Sequence, residues 1–288
     1  MTDQIQAARR SYAEELRCTA HVRAPALVAA LATVPRERFV GAGPWRVRSP
    51  MDMADYWTTE DADPRSVYHD VLIALDEARG INNGQPSLWA FLLDQLDIAA
   101  GERVVHLGCG TGYYTAVVAE LVGPTGEITA IEIHSRLAGQ ARAALAPWPQ
   151  VTVSNADGAS MVFEPADLII ASAGATHPLR SWLDALKPGG RLMFPMTATR
   201  RGGMLLVTRE AEDGFSARFL CQVGFIDFSG ARDSKISHRL GAALARDWGR
   251  AVQSLRRDQH EKGRTCWLHG EGWCLSRWPA AAVRSPAP

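Results

Sequence analysis

The stretch RVVHLGCGTGYYTAVV, residues 103–118, constrains the fold more than any other part of the chain. A short apolar run passes into glycines at 108, 110 and 112 and then into a run that suits a helix. Glycine at alternate positions permits a tight turn and close backbone approach to a ligand. The helix behind such a turn presents N–H groups with no intrahelical partner. The spacing is GxGxG, which is neither the GxGxxG of dinucleotide binders nor the GxxxxGK[ST] of a P-loop. No lysine follows to meet phosphates, so the loop suits a small carboxylate head better than a pyrophosphate.

The chain beyond the loop repeats the same grammar. EITAIEI, VTVSN, ADLIIASAG, RLMFPMT and GMLLVTRE read as strands. SRLAGQARAALA reads as a helix, and HPLRSWLDAL reads as another that stops at KPGG. Strands alternating with helices at this spacing predict an α/β fold with a doubly wound, mostly parallel sheet. Upstream, residues 9–40 read as helical, 41–68 as an irregular connector and 85–97 as a helix with Pro86 in its first turn. Downstream, 215–228 adds edge strands, 238–257 a helix and 265–278 an aromatic segment, and 280–288 reads as disordered. The expected organisation is an N-terminal helical cap and connector over 1–84, a ligand-binding core over 85–230, and a C-terminal extension over 231–288.

Charge and cysteine usage exclude several function classes. Lys+Arg and Asp+Glu are each 31, and a domain held to nucleic acid by bulk charge would be clearly basic. The four C-terminal tryptophans, Trp248, Trp267, Trp273 and Trp278, are read as packing rather than base stacking. No apolar run is long enough for a membrane span, and MTDQIQAARRSYAEELR has no apolar core of a secretory signal. The five cysteines form no CxxC pair, so neither a metal site nor a disulfide framework is expected, and a reducing cytoplasm fits.

Two acidic positions accompany the glycine loop. Glu132 ends the strand ITAIE, where a carboxylate can accept hydrogen bonds from both hydroxyls of a ribose. Asp157-Gly158 follows the next strand, where a carboxylate can accept from an exocyclic adenine amine. All lie at carboxyl ends of strands, where open α/β sheets bind ligands. The ordered series of strand–GxGxG–helix, strand–Glu, strand–Asp-Gly and then LKPGGRL resembles the class I S-adenosylmethionine-dependent methyltransferases. That resemblance implies a Rossmann-like methyltransferase sheet and S-adenosyl-L-methionine as cofactor. It places Gly108, Gly110 and Gly112 at the methionine end, Glu132 at the ribose and Asp157 at the adenine, with Gln85, Tyr113 and Gly158 bordering the same pocket. His106 stands where the family has an acidic residue and is read as bracing the loop by hydrogen bonds.

VPRERFV (34–40), VYHDVLIAL (67–75) and NGQPSLWAFLLDQL (83–96), in this order before the loop, resemble the protein-L-isoaspartate O-methyltransferases over about residues 10–210. The family implies an O-methyltransferase acting on a carboxylate of a protein or peptide. Its Thr-Ile-Ser segment before Gln-Pro corresponds here to Asn82, Asn83 and Gly84, so the active-site serine is replaced by glycine. A carboxylate is already ionised at neutral pH, so its attack on a methyl group needs alignment and desolvation more than a base. Asn82, Asn83, Gly84 and His177 are the substrate-facing candidates, His177 as a base should the acceptor be a hydroxyl or amine. The alternatives are a methyltransferase for another peptide carboxylate or a small molecule, and a cofactor-binding protein without catalysis.

Overall fold

The computed structural model describes residues 2–52, 54–210 and 214–280. In chain order its helices are α1 (Thr2–Thr19), α2 (Pro25–Thr33), α3 (Pro86–Asp94), α4 (Tyr113–Val122), α5 (Ser135–Ala144), α6 (Arg180–Asp184) and α7 (Ser234–Asp247). Its strands are β1 (Arg46–Arg48), β2 (Trp57–Thr58), β3 (Leu72–Asp76), β4 (Ile81–Asn82), β5 (Arg103–Leu107), β6 (Glu127–Glu132) and β7 (Val151–Asn155), followed by β8 (Ala166–Ala171), β9 (Leu186–Thr197), β10 (Arg201–Arg209), β11 (Phe215–Gly224), β12 (Ser254–Arg256), β13 (Cys266–Gly270) and β14 (Trp273–Ser276). The chain forms two compact units, Met1–Glu102 with Cys109–Asn155, and Arg103–Gly108 with Ala156–Pro288.

In the first unit, the helical reading of 9–40 resolves into α1, α2 and a 3-10 turn at Arg36–Phe39. Pro25 opens α2, where its missing N–H costs nothing. The buried Asp94 carboxylate, at the end of α3, accepts the backbone N–H groups of Arg23 and Ala24, each at 2.9 Å, and so caps α2 from a distance. The stretch expected to be an irregular connector instead contributes to a small antiparallel sheet of order β2-β1-β3-β4. β6 and β7 pair in parallel from Ile128↔Val151 to Glu132↔Asn155. α4 is buried along almost its whole length.

The second unit carries the longer sheet. β5, β8 and β9 are parallel, and β8 (ADLIIA) is apolar and buried, as a strand covered on both faces must be. From β9 onward the ladder turns antiparallel, in the order β9-β10-β11-β12-β14-β13. The helix expected over 177–186 is only α6, and KPGG does not end an element. It lies within β9 as an irregularity, because Ala166 faces Leu186 while Leu168 faces Arg191. Trp182 of α6 is fully buried against Phe194 and Phe228. α7 starts at Ser234, with the Asp233 side chain accepting from the Ile236 N–H at 2.8 Å. Of the end expected to be disordered, 280–288, all but Ala280 lies outside the described residues.

Candidate active site

Gly108, Gly110 and Gly112 all adopt left-handed backbone, with φ of 71°, 59° and 95°. An added Cβ would make only ordinary van der Waals contact, with Ser172 at 3.9 Å for Gly108 and with Leu75 Cδ1 at 3.6 Å for Gly110, so glycine is required at both by the backbone conformation and not by crowding. At Gly112 it would lie 2.6 Å from Leu145 Cδ1, so this glycine serves helix packing. Gly112 is the residue preceding α4, whose first residue is the fully buried Tyr113.

Glu132, buried at the end of β6, is bonded into the glycine loop. Its Oε2 accepts the Gly110 N–H at 2.8 Å and its Oε1 the His134 N–H at 2.9 Å. Each carboxylate oxygen has a second acceptor direction, so both remain able to receive a ligand hydroxyl. The Cys109 N–H donates to Ile131 O at 3.1 Å, a second tie between loop and strand. Burial and the Glu132 carboxylate push the Cys109 thiol well above the ordinary range, so it is not a nucleophile.

The segment read as substrate-facing is a tight turn. Asn82 Oδ1 accepts the Gly84 N–H at 2.9 Å, and Gly84 has φ +79°. The turn rests on the stacked rings of Trp89 and Tyr114, and the Tyr114 hydroxyl donates to Gly84 O at 3.3 Å. The Asn83 side chain is buried, with its oxygen accepting from Arg36 Nε at 3.2 Å. Gln85 Nε2 and the Ser87 hydroxyl both reach the Asp70 carboxylate, at 3.4 and 2.6 Å, while the Ser87 N–H donates to it at 2.8 Å. Ser87 is thereby committed to the first turn of α3, and Asp70 supplies the negative charge that a helix N-terminus favours.

In the second unit, His106 is buried on β5 and its Nε2 lies 2.8 Å from the Ser172 hydroxyl. The Ser172 N–H donates to Leu107 O at 2.9 Å, so this pair braces the end of the strand that leads into the loop. Burial pushes the imidazole down to about 4, so it is neutral at physiological pH. Asp157 opens an Asx turn, accepting the Ala159 N–H at 2.9 Å, with Gly230 packed against its carboxylate. Gly158 O accepts from Trp182 Nε1 at 3.0 Å. His177 Nδ1 lies 2.9 Å from the Thr176 hydroxyl, its ring stacks on Trp273 at 6.3 Å, and burial lowers its pKa.

Arg36, Asp70 and Ser172 carry much of this geometry without standing out in the sequence. Arg36 is fully buried, and its guanidinium donates to Val67 O (2.7 Å), His69 O (2.9 Å) and Val71 O (2.9 Å) as well as to Asn83. Arg36 is one of three charged residues in VPRERFV, and nothing in the sequence marks it as the buried one, because most of its partners are carbonyls that no side-chain pattern reveals.

The sequence profile of the protein-L-isoaspartate(D-aspartate) O-methyltransferases matches residues 8–233. The chain is similar to protein-L-isoaspartate O-methyltransferase 1 of Geotalea uraniireducens, 30% identical over 218 residues, 73% of this chain and 87% of that one. It is similar to protein-L-isoaspartate O-methyltransferase 1 of Rhodopseudomonas palustris at 34% over 214 residues, 73% and 78% of the two chains. The fold is shared with a putative protein-L-isoaspartate O-methyltransferase structure from Plasmodium falciparum, in complex with S-adenosyl-L-homocysteine, at TM-score 0.62 and 15% identity over 77% of this chain and 98% of that one. Among the described residues no helix is long and apolar enough to cross a membrane. With the profile spanning the glycine loop, Glu132 and Asp157 alike, the chain belongs to the protein-L-isoaspartate(D-aspartate) O-methyltransferase family and is an S-adenosylmethionine-dependent methyltransferase.

Proposed function

We propose that this enzyme methylates a side-chain or isoaspartyl carboxylate of a protein or peptide. The observation that supports the reading most is the Gly108–Gly112 loop, with three left-handed glycines and the Glu132 carboxylate fixed to the Gly110 N–H. These features fit S-adenosyl-L-methionine, which when bound supplies a methyl group on a positively charged sulfur. Gly108 and Gly110 offer backbone for close approach, and Glu132 offers its free acceptor directions to ribose hydroxyls. Asp157, Gly158, Tyr113 and Gln85 are assigned to the cofactor by family resemblance. Family resemblance also supports the acceptor, because the relatives above are isoaspartyl methyltransferases by name.

An acceptor carboxylate is ionised at neutral pH and brings its own electron pair to the methyl carbon. The chain's residues therefore have to align and desolvate it rather than remove a proton. Gly84 stands at the family's serine position, so no hydroxyl acts there. The rigid turn Asn82–Gly84, held by Arg36 from behind, is assigned to positioning through backbone and amide groups. His177 is held in reserve as a base only for a hydroxyl or amine acceptor. A cytoplasmic site of action is part of the same reading.

The test is methyl transfer from labelled S-adenosyl-L-methionine to a matched pair of peptides, one isoaspartyl and one aspartyl. A base-labile ester on either is the expected result. Retention of cofactor binding with no ester on either peptide would overturn the acceptor class and point to another peptide carboxylate or a small molecule.

A further inference from the structure

The family profile ends at residue 233, and β12–β14 lie beyond it. In this extension four side chains with metal-ligating atoms converge. One ligand atom from each of His260, Cys266, His269 and Cys274 lies within 4.8 Å of the others. Cys266 Sγ is 3.4 Å from His260 Nε2 and 3.8 Å from His269 Nδ1. We propose that His260, Cys266, His269 and Cys274 form a closed, tetrahedral zinc site that staples the C-terminal extension.

The backbone is built to bring them together. His269 and Cys274 are direct cross-strand partners in the β13–β14 hairpin, so their side chains share one face. Cys266 is three residues before His269, and strict alternation would place it on the opposite face. A bulge between Cys266 and Leu268 supplies the extra residue that returns Cys266 to the face of His269. His260 arrives from the loop between β12 and β13. Its Nδ1 donates to Asp258 O at 3.0 Å, which leaves the lone pair of Nε2 directed at Cys266. An imidazole fixed by a bond from its other nitrogen is the usual arrangement of a metal-ligating histidine. Asp258 is itself held by Arg256 at 2.9 and 2.5 Å.

The chemistry of the donor set selects the ion. Two thiol sulfurs and two imidazole nitrogens suit zinc, whose bonds of about 2.3 Å to sulfur and 2.0–2.1 Å to nitrogen put tetrahedral ligand atoms roughly 3.3–3.8 Å apart. The two measured separations fall in that range, and a small contraction brings in the remainder. Binding releases both thiol protons to solvent, and two thiolates with two neutral imidazoles cancel the dication's charge. That neutrality suits a place where Cys274 is fully buried and Cys266 nearly so. Four protein ligands leave no open position, so the site is structural. It also fixes the hairpin whose Trp273 ring lies over His177.

The test uses the full chain, produced with zinc in the medium and purified without a metal-affinity tag. Elemental analysis is expected to find about one zinc per chain. The paired variant Cys266→Ser/Cys274→Ser is expected to lose it and Cys18→Ser/Cys221→Ser to keep it. Cobalt(II) loaded into the wild-type chain should give the visible absorption of tetrahedral thiolate coordination. Because the paired variant can misfold, zinc is also withdrawn from wild-type protein with a chelator. Amide exchange over 258–276 should then rise and be reversed by added zinc. A wild-type chain that takes up neither zinc nor cobalt, a folded paired variant that retains zinc, or a Cys266–Cys274 disulfide in peptide maps of unreduced protein would overturn the site.

Discussion

Gly84, proposed to stand at the family's serine position, offers a direct test of the acceptor-side reading, because introducing serine there is a single substitution. The structure predicts that Gly84→Ser damages the enzyme rather than improving it. Gly84 has φ +79°, a conformation that costs an L-residue about 1–2 kcal/mol. Its new Cβ would lie 2.6 Å from Trp89 Nε1, 2.9 Å from Trp89 Cδ1 and 3.0 Å from Tyr114 Cε2. Those rings are stacked at 4.7 Å and cannot both retreat, so overpacking adds about 1–3 kcal/mol. Together the two effects amount to about 2–5 kcal/mol. With a urea dependence of about 3 kcal/mol per molar, the unfolding midpoint should fall by roughly 1 M. Gly84→Ala should fall by nearly as much, since the penalty comes from the Cβ and not the hydroxyl. Isoaspartyl methylation by Gly84→Ser should be slower than wild type under conditions where both are folded. A serine variant with an unchanged midpoint and faster ester formation would refute the argument.

Glu132→Ala should weaken S-adenosyl-L-methionine binding by about 1–3 kcal/mol, roughly 5- to 150-fold, as charge-assisted acceptors are lost; an unchanged dissociation constant by calorimetry would remove Glu132 from the ribose. Asp94→Ala strands the Arg23 and Ala24 N–H groups and should lower unfolding free energy by about 2–4 kcal/mol, read by denaturant titration. His106 binds a proton in the unfolded chain near its ordinary 6.5 but in the native protein only near 4. The unfolded state therefore holds more protons between those values, and stability falls as pH drops from about 6.5 toward 4, by up to about 3 kcal/mol. His106→Gln should remove most of that slope, and an identical slope in the variant would exclude His106 as its source. Cofactor affinity should not follow His106 between about pH 5.5 and 8, where the imidazole stays neutral.

The parts of this fold that are legible in sequence are those whose signal is local. The glycine loop, the apolar β5 and β8, and the carboxylate closing β6 each depend on residues within a few positions of one another. The sheet of β1–β4 is not legible because its strands run from two to five residues and carry no period. KPGG reads as a terminator because proline and paired glycines break regular structure, yet the parallel ladder absorbs these residues as an irregularity and continues. The cluster at 260–274 escapes because its spacing is made regular only by a bulge that no residue pattern announces, and because a search for CxxC looks for ligands on one turn rather than across a hairpin. Asn83 is visible in the sequence as a polar residue beside Gly84, but its partner is an arginine 47 positions away.

Arg36 explains how the Asn82–Gly84 turn, proposed for the acceptor side, is held rigid. A buried guanidinium is costly to desolvate, and no carboxylate is hydrogen-bonded to it among the described residues. Its donors are instead distributed over three carbonyls of 67–71 and the Asn83 oxygen, and its Cζ lies 5.8 Å from the ring centroids of both Tyr12 and Tyr113. Cation–π attraction and four oriented acceptors together replace the lost water. The planar fork is what makes this possible, since lysine could not reach acceptors on so many sides. The result is that 67–71, the Asn82–Gly84 turn and the first residue of α4, immediately after the glycine loop, share one rigid support. A carboxylate acceptor needs geometry more than proton transfer, and on the proposed assignment of the Asn82–Gly84 turn to the acceptor side this rigid support is what supplies it.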